Sequence, residues 1–350
     1  MEPMDPGPLK FERQTIIARL VEPSGDIAER TIEVRTHPIT GRTCRISYSR
    51  INEKEAGADT LPTPPPDAEN TGNCPFCRPQ VSRLTPRLHP GLSADAERLV
   101  CGESLLFPNL YPYGAYSAVS LISNDHFVEI GAAEASSYTD CLINCRQYLA
   151  NILTKDPGVI YMAITQNHLP SAGGSLVHPH LQINADRIAS NHHRILMNLS
   201  GAYYRKFGAR LLSDYLKHEL SDGRRIIGTT GPWHWLAAFA PEGFYEIWAI
   251  LPGITSMQLV EDAVWADLSA GIVAVQKYYR SLNRNGYNLG LLAVETPQSA
   301  LELRCRMTVR SNYAPWVRND YTGFEIMLGD MTTFTAPEQI AATARAFFNN

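Results

Sequence analysis

Within residues 167–182, NHLPSAGGSLVHPHLQ, two histidines and a glutamine stand at alternate positions: His178, His180 and Gln182. In a strand, successive side chains point to opposite faces. The three polar groups would then share one face, with Pro179, Leu181 and Ile183 on the other. A neutral imidazole is a competent nucleophile near neutral pH. It can attack the α-phosphorus of a nucleotide, hold the nucleotidyl group as a phosphoramidate and hand it to a second acceptor. We assign that role to His180. Gln182 offers an amide N–H to a phosphate oxygen without being a base or a nucleophile. Gly173, Gly174 and Ser175 run into the strand, and glycines let backbone N–H groups come close to an anion. A bare His-x-His is more often an ordinary exposed pair. The glycine loop ahead and Gln182 behind turn the balance toward a phosphate site.

A second cluster has the chemistry of a metal site. Cys74 and Cys77 have the two-residue spacing that lets both thiolates reach one ion. His126, in SNDHF, and His178 are candidate partners, although they lie too far away in sequence for spacing to identify them. Two cysteines and two histidines fill a tetrahedral site, which points to one structural zinc rather than a catalytic one. Such an ion would tie the loop at Cys74 to the strand that presents His180. A redox pair or two buried thiols is the competing reading of the same spacing. His192 and His193 are adjacent and diverge on a helix, so we expect them to face solvent rather than a metal. Trp233, His234 and Trp235 read as core packing between two halves of the chain, ahead of a base-stacking platform. Cys44, Cys101, Cys141, Cys145 and Cys305 read as inert thiols.

These residues need elements to hold them. The periodicities predict strands at 116–123, 158–165 and 178–183, with a helix at 132–155 between the first two. The same order returns as strands at 245–251, 287–294 and 301–309, with a helix at 259–279. Matched spacing predicts a duplicated α+β unit. A last helix is expected at 336–348. Residues 1–30 read as an arm, and the proline-rich stretch 60–71 as a loop leading into Cys74.

Composition bounds the function. The 350 residues are 44% hydrophobic and 19% charged, with a net charge of -4. That is a globular chain with no bulk positive field for nucleic acid. No stretch is apolar over the length of a membrane span, and the N-terminus has no apolar signal core. We therefore expect a cytoplasmic protein that meets neither membrane nor nucleic acid. Seven cysteines, an odd number, do not make a disulfide framework.

The pieces TGRTCRISYSR, CPFC, SNDHF, QNHLPSAGGSLVHPHLQ and GFEIMLGD together resemble the galactose-1-phosphate uridylyltransferase-like family of the histidine-triad superfamily, over roughly residues 38–347. The resemblance implies two tandem histidine-triad-like halves, each an antiparallel sheet with packed helices, here 1–195 and 196–350. It implies a homodimer. It also implies ping-pong nucleotidyl transfer from a nucleotide-sugar or similar donor to a phosphorylated acceptor. The nucleophile falls on His180 and the zinc ligands on Cys74, Cys77, His126 and His178. Gln182, Asn167, Gly173 and Ser175 match phosphate-contacting positions, Arg50 a phosphate-binding arginine, and Asn109 a residue near the ribose. The alternatives are a phosphorylase using inorganic phosphate, a hydrolase, against which Gln182 argues, and a silent nucleotide-binding homologue.

The chain also departs from the family. Where the sugar-specific members carry a second His-x-His, this sequence reads Leu303-Arg304-Cys305-Arg306. Arginine stays protonated and is no ordinary metal ligand, so no second metal is expected. Leu181 replaces a usual glycine, and the sugar-contacting stretch reads Gly323-Phe324-Glu325. Arg304, Arg306 and Glu325 are therefore candidates for a changed acceptor site, with solvated strand residues as the plain reading of the two arginines.

Overall fold

The alternation at 116–123 and 178–183 and the helical spacing at 132–155 do form strands and a helix, and the same holds for their counterparts in the second half. The computed structural model describes residues 7–47, 63–93, 96–312 and 320–348. The elements run β1 (Arg13–Val21), β2 (Ile27–Thr36), β3 (Thr43–Ser47), α1 (Gln80–Leu84), β4 (Leu99–Cys101), β5 (Ser104–Pro108), β6 (Tyr116–Leu121), α2 (Ala135–Lys155), β7 (Tyr161–His168) and β8 (His180–Asp186). Then follow α3 (Asn191–Phe207), α4 (Leu211–Asp222), β9 (Ile226–Thr230), β10 (Trp233–Ala237), β11 (Phe244–Leu251), α5 (Asp262–Ser281), β12 (Tyr287–Val294), β13 (Leu303–Val309), β14 (Met331–Thr333) and α6 (Pro337–Ala344).

Ten strands form one antiparallel sheet in the order β4-β5-β6-β8-β7-β12-β13-β11-β10-β9. Read outward from the β7·β12 seam, the two sides repeat: β4, β5, β6, α2, β7 and β8 are matched by β9, β10, β11, α5, β12 and β13. The seam is fully paired, from Tyr161 opposite Val294 to His168 opposite Tyr287. The two antiparallel halves therefore join edge to edge, which removes two exposed sheet edges. Helices α2 and α5 pack together on one face, over Ile164, Leu181 and Ile183 from one half and Leu291, Cys305 and Met307 from the other.

The opposite face is covered differently in each half. Over the second half lie α3 and α4, with Leu196, Leu211 and Leu212 packed on Leu236, Trp248 and Ile250. Over the first half lies the Cys74 loop, with Phe76 and Val81 against Phe107, Val119 and Leu121. A four-stranded sheet, β1-β2-β3-β14, completes the fold, with β14 parallel to β3 and the other pairs antiparallel.

Several expectations change. The arm read at 1–30 contains a β-hairpin, since Ile16, Ile17, Val21 and Ile27 favour extended backbone and pair as β1·β2. Residues 195 and 196 lie inside α3, so a continuous helix bridges the point where the halves were divided. Trp233 and Trp235 are fully buried, but beneath α5 rather than between the halves. Trp233 donates to the Val264 carbonyl at 2.9 Å, and Trp235 fills the space above Gly271. Strands β4, β5, β9 and β10 are three to five residues long, too short for a periodicity to show.

Candidate active site and metal centre

The turn at Cys74 is closed by Cys77 N–H donating to the Cys74 carbonyl at 3.3 Å, and Val81 N–H then donates to the Cys77 carbonyl at 2.9 Å. This brings both thiols under the end of β6 and the start of β8. The ligand atoms of Cys74, Cys77, His126 and His178 all lie within 4.8 Å of one another. Cys77 Sγ is 3.2 Å from His126 Nδ1 and 3.5 Å from His178 Nδ1, and Cys74 Sγ is 3.9 Å from His178 Nδ1. Tetrahedral zinc bond lengths imply an S···N edge of about 3.5 Å.

Both imidazoles are also oriented for a cation. His178 Nε2 is 3.2 Å from the Ser123 carbonyl, and His126 Nε2 is 2.7 Å from the Asp67 carbonyl. In each ring Nε2–H donates outward and the Nδ1 lone pair faces the cluster, as metal-bound histidines require. Burial pushes His178 down to about 4, so it is neutral, and pushes the Cys77 thiol up to about 11. A bound divalent cation would reverse the thiol preference and hold thiolates. The donor set therefore fits a metal such as zinc.

His180 begins β8, two residues beyond the cluster's His178. Its Nδ1 lies 2.7 Å from the carbonyl oxygen of His178. Nδ1–H therefore donates to that carbonyl, and Nε2 carries the free lone pair. Burial lowers the His180 pKa, partly opposed by that hydrogen bond, so the ring is uncharged at neutral pH. Phe76 stands edge-on to the ring at 5.3 Å and also touches Phe107 at 5.3 Å. The residue between the two cysteines thus packs directly against the imidazole, a link no motif at His180 announces.

The loop before β8 is more self-contained than its glycines suggested. Gly173 N–H donates to the Pro170 carbonyl and Gly174 N–H to the Leu169 carbonyl, each at 3.0 Å. These amides are therefore occupied, and the glycines set the loop's shape. Gly173 sits at φ 90°, and a Cβ on Gly174 would meet the Asn167 carbonyl oxygen at 2.7 Å. Leu169 holds φ 70°, a conformation that strains a side-chain-bearing residue. The exposed Ser175 hydroxyl and the Gln182 amide have no side-chain hydrogen-bond partner among the described residues, and the buried Ser171 hydroxyl and His168 Nε2 are unpartnered as well.

Asn167 is set by a residue from the other half. Asn288 on β12 donates its Nδ2 to Asn167 Oδ1 at 2.7 Å and to the Ala172 carbonyl at 2.8 Å. Arg310 donates to Asn288 Oδ1 at 2.8 Å and forms a two-pronged pair with Asp320, at 2.9 Å each. With its oxygen held, Asn167 keeps an amide nitrogen that has no hydrogen-bond partner among the described residues. Asn288, Arg310 and Asp320 are absent from the sequence reading, because only the β7·β12 seam brings them to the loop. Asn109 caps the β5–β6 connection, accepting from Tyr111 N–H at 3.0 Å. Arg50 lies outside the described residues.

The candidate acceptor residues are not gathered at His180. Arg306 is in register with Gln182 across Thr165 and Gly290, three strand spacings away, or about 14 Å. It is paired with Glu242 at 3.3 Å and Glu246 at 3.1 Å. Glu325 accepts from Thr322 N–H at 2.7 Å and from the Thr322 and Thr332 hydroxyls. Arg304 stacks on Trp248 with its guanidinium carbon 4.1 Å from the ring centroid. Of the adjacent histidines, His192 is exposed as expected. His193 is buried between the Ser190 hydroxyl at 2.8 Å and the Met162 carbonyl at 2.9 Å, since the helix cap at Ser190 turns it inward.

Known structures share the fold that carries this site. A plant ADP-glucose phosphorylase from Arabidopsis thaliana, solved with bound ADP-glucose, superposes with a TM-score of 0.69 at 19% identity, covering 90% of this chain and 98% of that one. A galactose-1-phosphate uridylyltransferase-like protein of the same plant gives 0.67 at 19% identity, over 89% of this chain and 98% of that one. The chain has the uridylyltransferase-like fold. A solved uridylyltransferase shares that fold with a TM-score of 0.65 at 19% identity, over 90% of this chain and 97% of that chain. An uncharacterized protein of Archaeoglobus fulgidus is 23% identical over 342 residues, 97% of this chain and 99% of its own length. No family model matches the chain. Among the described residues, no helix is long and apolar enough to cross a membrane.

Proposed function

We propose that this protein is a nucleotidyltransferase working by ping-pong displacement through a covalent nucleotidyl-His180. The observation that carries the reading is the His180 ring itself. It is buried, neutral, locked by the His178 carbonyl through Nδ1 and left with its lone pair on Nε2. Nε2 attacks the α-phosphorus of the donor, and the phosphorus–oxygen bond to the leaving group breaks with its electron pair. A phosphorylated acceptor then attacks the phosphoramidate, and His180 leaves as the neutral imidazole. The amides of Asn167 and Gln182 and the Ser175 hydroxyl supply donors toward the phosphate oxygens. Asn109 and Arg50 complete the donor site in this reading. One zinc ion, held by Cys74, Cys77, His126 and His178, is structural and fixes the strand that presents His180.

A nucleotide-sugar is the donor class the reading favours. Inorganic phosphate as acceptor would make the enzyme a phosphorylase, the activity named for the plant protein of the same fold. The test is intact-mass measurement after mixing with ADP-, UDP- and GDP-glucose separately. One donor should add a nucleoside monophosphate to the wild type and not to His180→Gly. Adding inorganic phosphate or a sugar 1-phosphate should then discharge the label. Absence of mass addition from every donor, or the same addition on His180→Gly, would refute the proposal.

A further inference from the structure

The sheet face that bears His180 continues into the second half, and there it encloses a separate cavity of about 200 Å³ between β12, β13, α3 and α4. Most of its wall is apolar, from Leu196, Leu211, Leu212, Leu292 and Leu301, with Ser200 and His192 among them. Its floor is Gly290, where a Cβ would meet nothing within 4 Å. One arginine faces this space with its guanidinium N–H groups unbonded, its nearest acids, Glu246 and Glu242, being paired with Arg306. Arg304 stacks on Trp248 and has no hydrogen-bonding partner among the described residues, whereas Arg306 beside it is taken by Glu242 and Glu246. Glu302 also lines the cavity, but its carboxylate accepts from Ser213 N–H at 2.8 Å, from the Ser213 hydroxyl and from Gly253 N–H at 2.6 Å.

We propose that this cavity binds a small organic anion, a single carboxylate or phosphate head on an apolar body, with Arg304 as its anchor. Stacking fixes one face of the guanidinium and leaves its N–H edge to donate. A charged donor in an apolar cavity is costly until an anion fills it, and a charge-assisted, two-pronged contact is the strongest way to do so. The apolar walls select the body. The space suits a molecule the size of phenyl phosphate, below the roughly 300–1,000 Å³ that drug-sized ligands occupy. A whole nucleotide-sugar is too large. The anchor is remote from the nucleophile, although the floor at Gly290 lies two strand spacings, about 10 Å, from Gln182. Arg304 lies three strands across from β8 and four residues along from the row of His180, roughly 20 Å away. It is therefore a second ligand site, standing on its own observations whatever the donor of His180.

The test is calorimetric titration of the full chain with phenyl phosphate, benzoate and the neutral isostere benzamide. Phenyl phosphate or benzoate should bind saturably, their ranking separating the two head groups, and benzamide should bind at least tenfold more weakly. Arg304→Gln should weaken the anion about 10–100-fold, the usual loss for a charge-assisted contact. Gly290→Leu should abolish binding by filling the floor, and both variants are checked by their unfolding midpoints. His180→Gly should bind the probe as the wild type does, and AMP or UMP should not displace it. Failure of the wild type to bind either anion overturns the proposal, as does equal affinity for benzamide. Those two outcomes decide it even if both cavity variants misfold. Undiminished binding to folded Arg304→Gln, or loss of binding in His180→Gly, overturns it as well.

Discussion

Replacing Asn288 by leucine should slow nucleotidylation of His180 through Asn167, although Asn288 itself does not meet the donor. Asn288 makes three short bonds: two from its amide nitrogen, to Asn167 Oδ1 at 2.7 Å and the Ala172 carbonyl at 2.8 Å, and one accepted from Arg310 at 2.8 Å. Leucine has nearly the same shape and makes none of them. Two acceptors lose a partner at about 1 kcal/mol each, and Arg310 loses one charge-assisted bond at about 1.5–3 kcal/mol, so the stability loss should be about 3.5–5 kcal/mol. Freed at Oδ1, Asn167 can turn its oxygen toward the phosphate. A misdirected donor at a developing charge costs about 10–100-fold in rate by the lower range of such losses. Asn288→Asp still accepts from Arg310 but sets a carboxylate oxygen against Asn167 Oδ1 and the Ala172 carbonyl, and labelling should stay slow. The assay is single-turnover mass labelling beside urea denaturation. Labelling at the wild-type rate by both variants, with stability lowered in Asn288→Leu, would refute the coupling between the halves.

Cys77→Ser should lower zinc content from one ion per chain and reduce the unfolding midpoint, read by elemental analysis and thermal melting. Full zinc occupancy in that variant would remove Cys77 from the ligand set. Gly174→Ala should cost about 1–3 kcal/mol, because its Cβ meets the Asn167 carbonyl oxygen at 2.7 Å and the Leu169 carbonyl oxygen at 3.1 Å and backbone cannot yield cheaply. Ser175→Ala should leave stability unchanged, and equal urea midpoints for the two variants would contradict this picture of the loop. Glu338 predicts the acid limb. Burial alone would raise its pKa, but Arg35 at 2.8 Å and Arg225 at 2.8 Å hold it down to about 2. Its contribution is complete above the unfolded value near 4.5 and is lost as pH falls toward 2, about 3 kcal/mol in all. Glu338→Gln should flatten that limb of a stability–pH curve, and an unchanged slope would count against the assignment.

Local pattern carried much of the architecture into view. Alternation marked β6, β8, β11, β12 and β13, helical spacing marked α2 and α5, and their recurrence marked the two halves. Each long element buries one face, and that need is written into consecutive residues. The His-Pro-His-x-Gln run was legible for the same reason: a strand places i and i+2 on one face whatever surrounds it. The Cys-x-x-Cys spacing marked Cys74 and Cys77 as candidate ligands, but His126 and His178 lie too far along the chain for spacing to join them to the pair.

The order in space was not local. That His126 and His178 both turn Nδ1 toward the thiols depends on the carbonyls of Asp67 and Ser123, which no spacing reveals. That Arg304 and Arg306 sit three strands from β8, one stacked and one ion-paired, follows from the β7·β12 seam, and so does the reach of Asn288 to Asn167. Sequence by itself determined which side chains could do chemistry and which face of each element they occupy, because both follow from residue type and backbone period. Only the tertiary structure decided which of them meet, because a strand's neighbours are chosen by the burial of the whole sheet.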